Sequence, residues 1–115
     1  AQKGDPKRPN IVFILTDDLV YTDLGCYVHP YHKTPHLDSL AASGIRFTQA
    51  YSSSPVCSPS RAGLLTGKHP AQLHLTNFLV GDKMDSLSPI LPAPWRPYLA
   101  SEEMTLAEML KTQGY

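Results

Sequence analysis

The stretch "PVCSPSRAGLLTG", residues 55–67, sets Cys57 two residues before a proline and four before Arg61. Ser58 and Pro59 read as an N-cap and a first-turn proline, opening a helix that runs to about Leu65 and closes at Gly67. Cys57 would then lie against backbone N–H groups that no helix carbonyl satisfies, at the positive end of the dipole, with Arg61 one turn behind. Both features favour an anion at that spot. A thiolate of lowered pKa is one such anion, and an oxyanion of a substrate is another. The second group with chemical potential is the adjacent pair Asp17 and Asp18. Two carboxylates facing one site about 6 Å apart repel by about 3 kcal/mol at an effective dielectric near 20. A divalent cation removes that cost. Hard cations such as calcium take about six to eight oxygens, so two aspartates would supply part of a shell.

Plainer readings of these residues stay open at this point. An isolated cysteine is most often a small buried hydrophobe. Cys57 could also pair with Cys26, its only possible partner in the chain, in an oxidising compartment. A bridge over about 31 residues would contribute roughly 3 to 4 kcal/mol. Asp17 and Asp18 could be solvated carboxylates at a strand end, and Asp23 a loop carboxylate.

The elements that must position these groups follow from pattern. Ile11 to Leu15 is an unbroken apolar run without alternation, which suits a central strand covered on both faces, as in parallel sheets. It ends in Asp17 and Asp18, at the carboxyl edge where open α/β sheets bind ligands. "YTDLGCYVHPYHKTP" reads as loop. In "TPHLDSLAASG", Thr34 suits an N-cap, Pro35 the first turn and Gly44 the position after the C-cap, with Leu37, Leu40 and Ala41 on one face. "GIRFTQAYSS" alternates and predicts a strand. Residues 68–99 are irregular, with prolines crowded from Pro89 to Pro97, and a last helix is expected from about Met104 to Gln113 with Thr105 or a neighbour as cap. Two strands and three helices cannot cover a sheet on both faces. The 115 residues therefore read as the first part of a larger α/β domain.

Bulk properties exclude some roles. Ten basic and ten acidic side chains cancel, which leaves no charge argument for nucleic acid or an anionic membrane as partner. The apolar run Ile11–Leu15 is far short of a membrane span. Two cysteines are too few for a disulfide framework. The polar start "AQKGDPKRPN" suits a chain already trimmed of a signal peptide.

Taken together, these stretches resemble one family. "CSPSRAGLLTG" is similar to the signature of the type I sulfatases, Cys-x-Pro-Ser-Arg followed by a hydrophobic pair and Thr-Gly. "RPNIVFILTDD" resembles their first strand, "KTPHLDSLAASGIRFTQAY" the helix and strand before the active-site loop, and "TLAEMLKTQGY" the helix after it. The resemblance covers almost the whole chain, least of all Lys83 to Leu99. It implies an α/β fold, the N-terminal part of an alkaline-phosphatase-like mixed sheet sandwiched by helices, incomplete within residues 1–115.

The resemblance also implies a chemistry. Cys57 would be oxidised to formylglycine by a maturation enzyme that reads Pro59 and Arg61, and the aldehyde hydrate would be the nucleophile. Arg61 would stay in the site and hold the hydrate. Asp17 and Asp18 would bind the cation, usually calcium with magnesium as the alternative, which the oxygen at position 57 also contacts. The hydrate would attack sulfur and expel the ester's alcohol, and its second hydroxyl would let the intermediate collapse and release sulfate. The substrate would be a sulfated small molecule or glycan, and "HLTNFLVG" resembles the carbohydrate-directed members. A periplasmic, extracellular or lysosomal location would follow. Hydrolysis of phosphate or phosphonate esters on the same scaffold is the alternative, and a non-catalytic module with a Cys26–Cys57 bridge is another. His69 and Pro70 depart from the expected residues after Thr-Gly, and His29, His32, His36 and His74 match no motif and read as loop or surface histidines.

Overall fold

A computed structural model describes residues 8–79, 90 and 93–115. The expected proline-punctuated loop lies partly outside these residues. The chain divides into two compact units, residues 1–50 and 51–115. Among the described residues the regular elements are a 3-10 turn, Gly25–Tyr27, and three α-helices: α1, Pro35–Ser43; α2, Cys57–Thr66; α3, Leu106–Thr112.

In the first unit the apolar run 11–15 has no ladder partner and is no strand. Its side chains are exposed, Val12 at 83% and Ile14 at 73%. A strand is defined by hydrogen bonds to a neighbour, and no described residue supplies one. The second expected strand is also absent, because residues 48–49 bend and the segment is tied elsewhere. The Tyr27 hydroxyl donates to the Phe47 carbonyl at 2.8 Å, while the Arg46 guanidinium donates to the Cys26 carbonyl and lies 5.4 Å from the centre of the Tyr27 ring.

Helix α1 begins where the sequence places it, with Thr34 at the cap position and Pro35 at N1. The Thr34 hydroxyl does not cap the helix. It accepts from Gly25 N–H and donates to Asp38 Oδ1, both at 2.8 Å, and Asp38 Oδ1 also accepts from Cys26 N–H at 2.7 Å. One carboxylate thus ties the 3-10 turn to α1. Gly44 is the C-cap itself, one position earlier than expected.

The second unit holds the buried apolar cluster, Ala62, Leu73 and Leu75, with Leu99 packed against it. Burying a leucine such as Leu75, 2% exposed, is worth about 2 to 3 kcal/mol. Helix α3 packs on α2, and Lys68 pairs with Glu103 beside that contact.

Both ends of α3 are closed by local interactions, the first of them at the expected Thr105. Thr105 is the N-cap of a capping box: its hydroxyl accepts from Glu108 N–H, and Glu108 Oε2 accepts from Thr105 N–H at 2.8 Å. At the other end Gly114, φ 82°, forms a Schellman motif, its N–H donating to the Lys111 carbonyl and Tyr115 N–H to that of Leu110. The Thr105 backbone bond, then its hydroxyl, hold the Glu108 carboxyl below its usual range. A carboxyl lowered in the folded state stabilises fully above its unfolded pKa, and that contribution is lost as pH falls through the folded value. Thr105→Ala in the full-length protein is expected to cost about 1 kcal/mol. Its destabilisation, read by urea unfolding, should be larger at neutral pH than below the glutamate range; equal loss at both would contradict the box.

Candidate functional site

Cys57 is the first residue of α2, preceded by the extended cap residue Val56 (φ −123°, ψ 154°). The helix therefore starts two residues earlier than the Ser-Pro signal predicts, and Ser58 is not its N-cap. The Ser58 hydroxyl instead accepts from Leu79 N–H at 3.1 Å. Pro59 still fits the first turn, because it has no N–H to leave unsatisfied. With no side-chain cap, the N–H groups of Cys57 and Ser58 have no acceptor within the helix and face the same end as the dipole. That is an environment for negative charge at residue 57 or on a group beside it.

The helix divides its faces sharply. Pro59, Ala62 and Gly63, at i, i+3 and i+4, are buried, whereas Cys57 and Arg61 are exposed. Residues 57 and 61 are i, i+4 neighbours, and helical side chains lean toward the N-terminus, so the Arg61 side chain is within reach of the turn that begins with Cys57. Exposure removes the packing reading of Cys57. Both cysteines are free thiols, Cys26 half-buried and Cys57 exposed.

The buried face is set by hydroxyls and one glycine. The Ser54 carbonyl accepts from Ser60 Oγ at 2.7 Å and Ser52 Oγ at 2.8 Å, which lashes the incoming chain to the first turn. A Cβ on Gly63 would fall 2.5 Å from Ser53 Oγ and 3.2 Å from the Lys68 carbonyl oxygen. Gly63→Val is therefore expected to destabilise the full-length protein by roughly 1 to 3 kcal/mol, measured by thermal or urea unfolding; an unchanged midpoint would contradict this close approach.

Asp17 and Asp18 lie in the other unit, exposed, at a bend that ends the extended run. Asp18 has φ 54°, a left-handed conformation that aspartate tolerates better than most residues. Two adjacent exposed carboxylates are all-oxygen, hard donors and fit a hard divalent cation, of whose shell they would form part. One grouping escaped the sequence reading. Asp23, His29 and His32 offer ligand atoms all within 4.8 Å of one another. The Asp-x5-His-x2-His spacing was a signal for it, but a loop without period gave no reason to bring the three together.

The match to known proteins decides the family. The family model described as Sulfatase matches residues 9–115. The chain belongs to the sulfatase family. Within it, the chain is 47% identical over 109 residues to arylsulfatase A of Homo sapiens, covering 95% of this chain and 19% of the relative. It is 43% identical over 114 residues to an ulvan-active sulfatase of Formosa agariphila, covering 99% and 19%. N-acetylgalactosamine-6-sulfatase of Rattus norvegicus is 40% identical over 112 residues, covering 97% and 21%. The chain thus spans about a fifth of the length of these curated sulfatases. A sulfatase domain implies an alkaline-phosphatase-like fold. No helix of the described residues is long and apolar enough to cross a membrane.

Proposed function

We propose that the full-length protein hydrolyses sulfate esters and that residues 1–115 form the N-terminal segment of its catalytic domain. The observation that carries the reading is the exposed pair Cys57 and Arg61 on one face of the first turns of α2, in a sulfatase-family chain. Residue 57 supplies the nucleophile once oxidised to formylglycine, whose hydrate offers one hydroxyl for attack and a second for release of sulfate. Arg61 holds negative charge at that position, and the N–H groups of Cys57 and Ser58 add to it. Asp17, Asp18 and the oxygen at residue 57 would hold calcium, or magnesium, which would polarise the sulfuryl oxygens.

The names of two relatives, an ulvan-active sulfatase and an N-acetylgalactosamine-6-sulfatase, favour a sugar sulfate as substrate. A formylglycine-generating enzyme is the implied maturation partner, and the location is taken as periplasmic, extracellular or lysosomal. In the complete domain, 11–15 and 45–52 become strands of a mixed sheet between helices. The exposed apolar run supports this, since every side chain from Ile11 to Leu15 is more than half exposed. The fragment alone is expected to be inactive toward an aryl sulfate.

The deciding experiment is the mass of the tryptic peptide Phe47 to Arg61 from protein made in its natural host, together with its reaction with a hydrazine probe. A peptide lighter by the change from CH2SH to CHO, and labelled by hydrazine, is expected. An unmodified Cys57 in active protein would sink the proposal, and a phosphate monoester cleaved faster than a sulfate ester would replace it with the phosphatase reading.

A further inference from the structure

Among the described residues one group of three side chains is arranged like a metal site, and it is not the pair Asp17 and Asp18. Asp23 and His29 are half-buried and His32 is exposed, all on the loop before α1. The hydrogen bonds define which atoms can ligate. His32 Nδ1 lies 3.1 Å from the Asp23 carbonyl oxygen. A carbonyl only accepts, so Nδ1 carries the proton and Nε2 keeps its lone pair. A ring nitrogen donating to a backbone carbonyl is the usual support of a metal-binding histidine. His29 Nδ1 accepts from Tyr31 N–H at 3.1 Å and His32 N–H at 2.8 Å, so its lone pair is on Nδ1. Asp23 Oδ2 accepts from Val20 N–H at 2.9 Å, which orients the carboxylate and leaves it further lone pairs.

Two further features hold the group together. The His29 and His32 rings stack with centroids 3.7 Å apart and planes within 8°, which keeps them adjacent, and one ring must turn out of the stack for both in-plane lone pairs to reach one ion. Val28, immediately before them, is at φ 72°, a conformation costly for a β-branched residue and retained here on the turn that presents His29.

We propose that Asp23, His29 and His32 form a binding site for a borderline divalent cation, Zn2+ by chemical class, separate from the all-oxygen pair Asp17 and Asp18. Two imidazoles and one carboxylate select zinc over calcium or magnesium, which prefer oxygen shells. Ligand atoms on a tetrahedral zinc stand about 3.3 Å apart, given bond lengths near 2.0 Å. The ligand atoms lie within 4.8 Å of one another, so the three groups must draw together on binding, with His32, the exposed member, moving most freely. Binding also takes the His29 lone pair from two amides, so the affinity is expected to be modest. The role is a brace across residues 23–32.

The test is calorimetric titration of the full-length protein with Zn2+ while excess Ca2+ occupies hard oxygen sites. One saturable zinc site is expected, weakened roughly tenfold or more in both His32→Ala and Asp23→Asn and unchanged in Asp17→Asn. His32 is exposed, so His32→Ala should fold, and circular dichroism verifies this for each variant. Co2+ in place of Zn2+ should give the visible bands of a tetrahedral nitrogen–oxygen site, lost in His32→Ala. No saturable zinc binding, equal binding in both loop variants, or loss only in Asp17→Asn would each overturn the proposal. Because the readout is binding, its failure would leave the ester-hydrolase reading untouched.

Discussion

Cys57→Ala in the full-length protein is expected to lower kcat for sulfate ester hydrolysis by on the order of 10⁴-fold or more, because no other group replaces a covalent nucleophile. The loss should be free of any folding effect. Cys57 is exposed, and its side chain fills no part of the Ala62, Leu73 and Leu75 cluster, so the melting temperature should barely move. Cys57→Ser separates attack from release. A serine hydroxyl can attack sulfur and expel the alcohol, but it lacks the second hydroxyl through which formylglycine sheds sulfate. The expected result is one alcohol released per protein, then arrest, with the peptide Phe47 to Arg61 heavier by one sulfuryl group. Steady turnover by Cys57→Ala would remove residue 57 from the chemistry. Steady turnover by Cys57→Ser would remove the need for the aldehyde.

The second large effect concerns the carboxylate pair. On the proposed reading, Asp17→Asn and Asp18→Asn are each expected to lower activity by roughly 10²-fold or more, since each would remove charge from the cation's shell. EGTA should abolish activity in the parent protein, and added Ca2+ should restore it. Asparagine is the informative replacement at position 18, because it tolerates the left-handed φ of 54° as aspartate does. With metal removed, losing one of two adjacent negative charges should leave stability unchanged or raised. A variant that melts lower without metal would indicate a structural role for that aspartate, and full activity in either variant would exclude it as a ligand.

Local signals were legible where the interaction that makes an element is itself local. Thr105 closes the start of α3 and Pro35 opens α1, each through contacts within one turn. The i, i+4 relation of Cys57 and Arg61 is of the same kind. Hydroxyl caps were less legible. Thr34 and Ser58 are good cap residues by type, yet Asp38 and Gly25 engage the first and Leu79 N–H the second. A short polar side chain has several partners of similar energy, and which it takes depends on what the chain brings near.

Strands were the least legible because their hydrogen bonds are not local. The apolar run 11–15 states that it must be covered, but a ladder exists only with a neighbour, and the described residues contain none. By itself the sequence determined the candidate residues Cys57, Arg61, Asp17 and Asp18 and the approximate helices. These depend on residue type and on spacings of a turn or less. Only the tertiary structure decided that α2 buries Pro59, Ala62 and Gly63 and turns Cys57 and Arg61 to solvent, and that Asp23, His29 and His32 converge. Which face of a helix is covered, and which loop residues meet, depend on chain segments far apart in sequence, whose contacts no local spacing encodes.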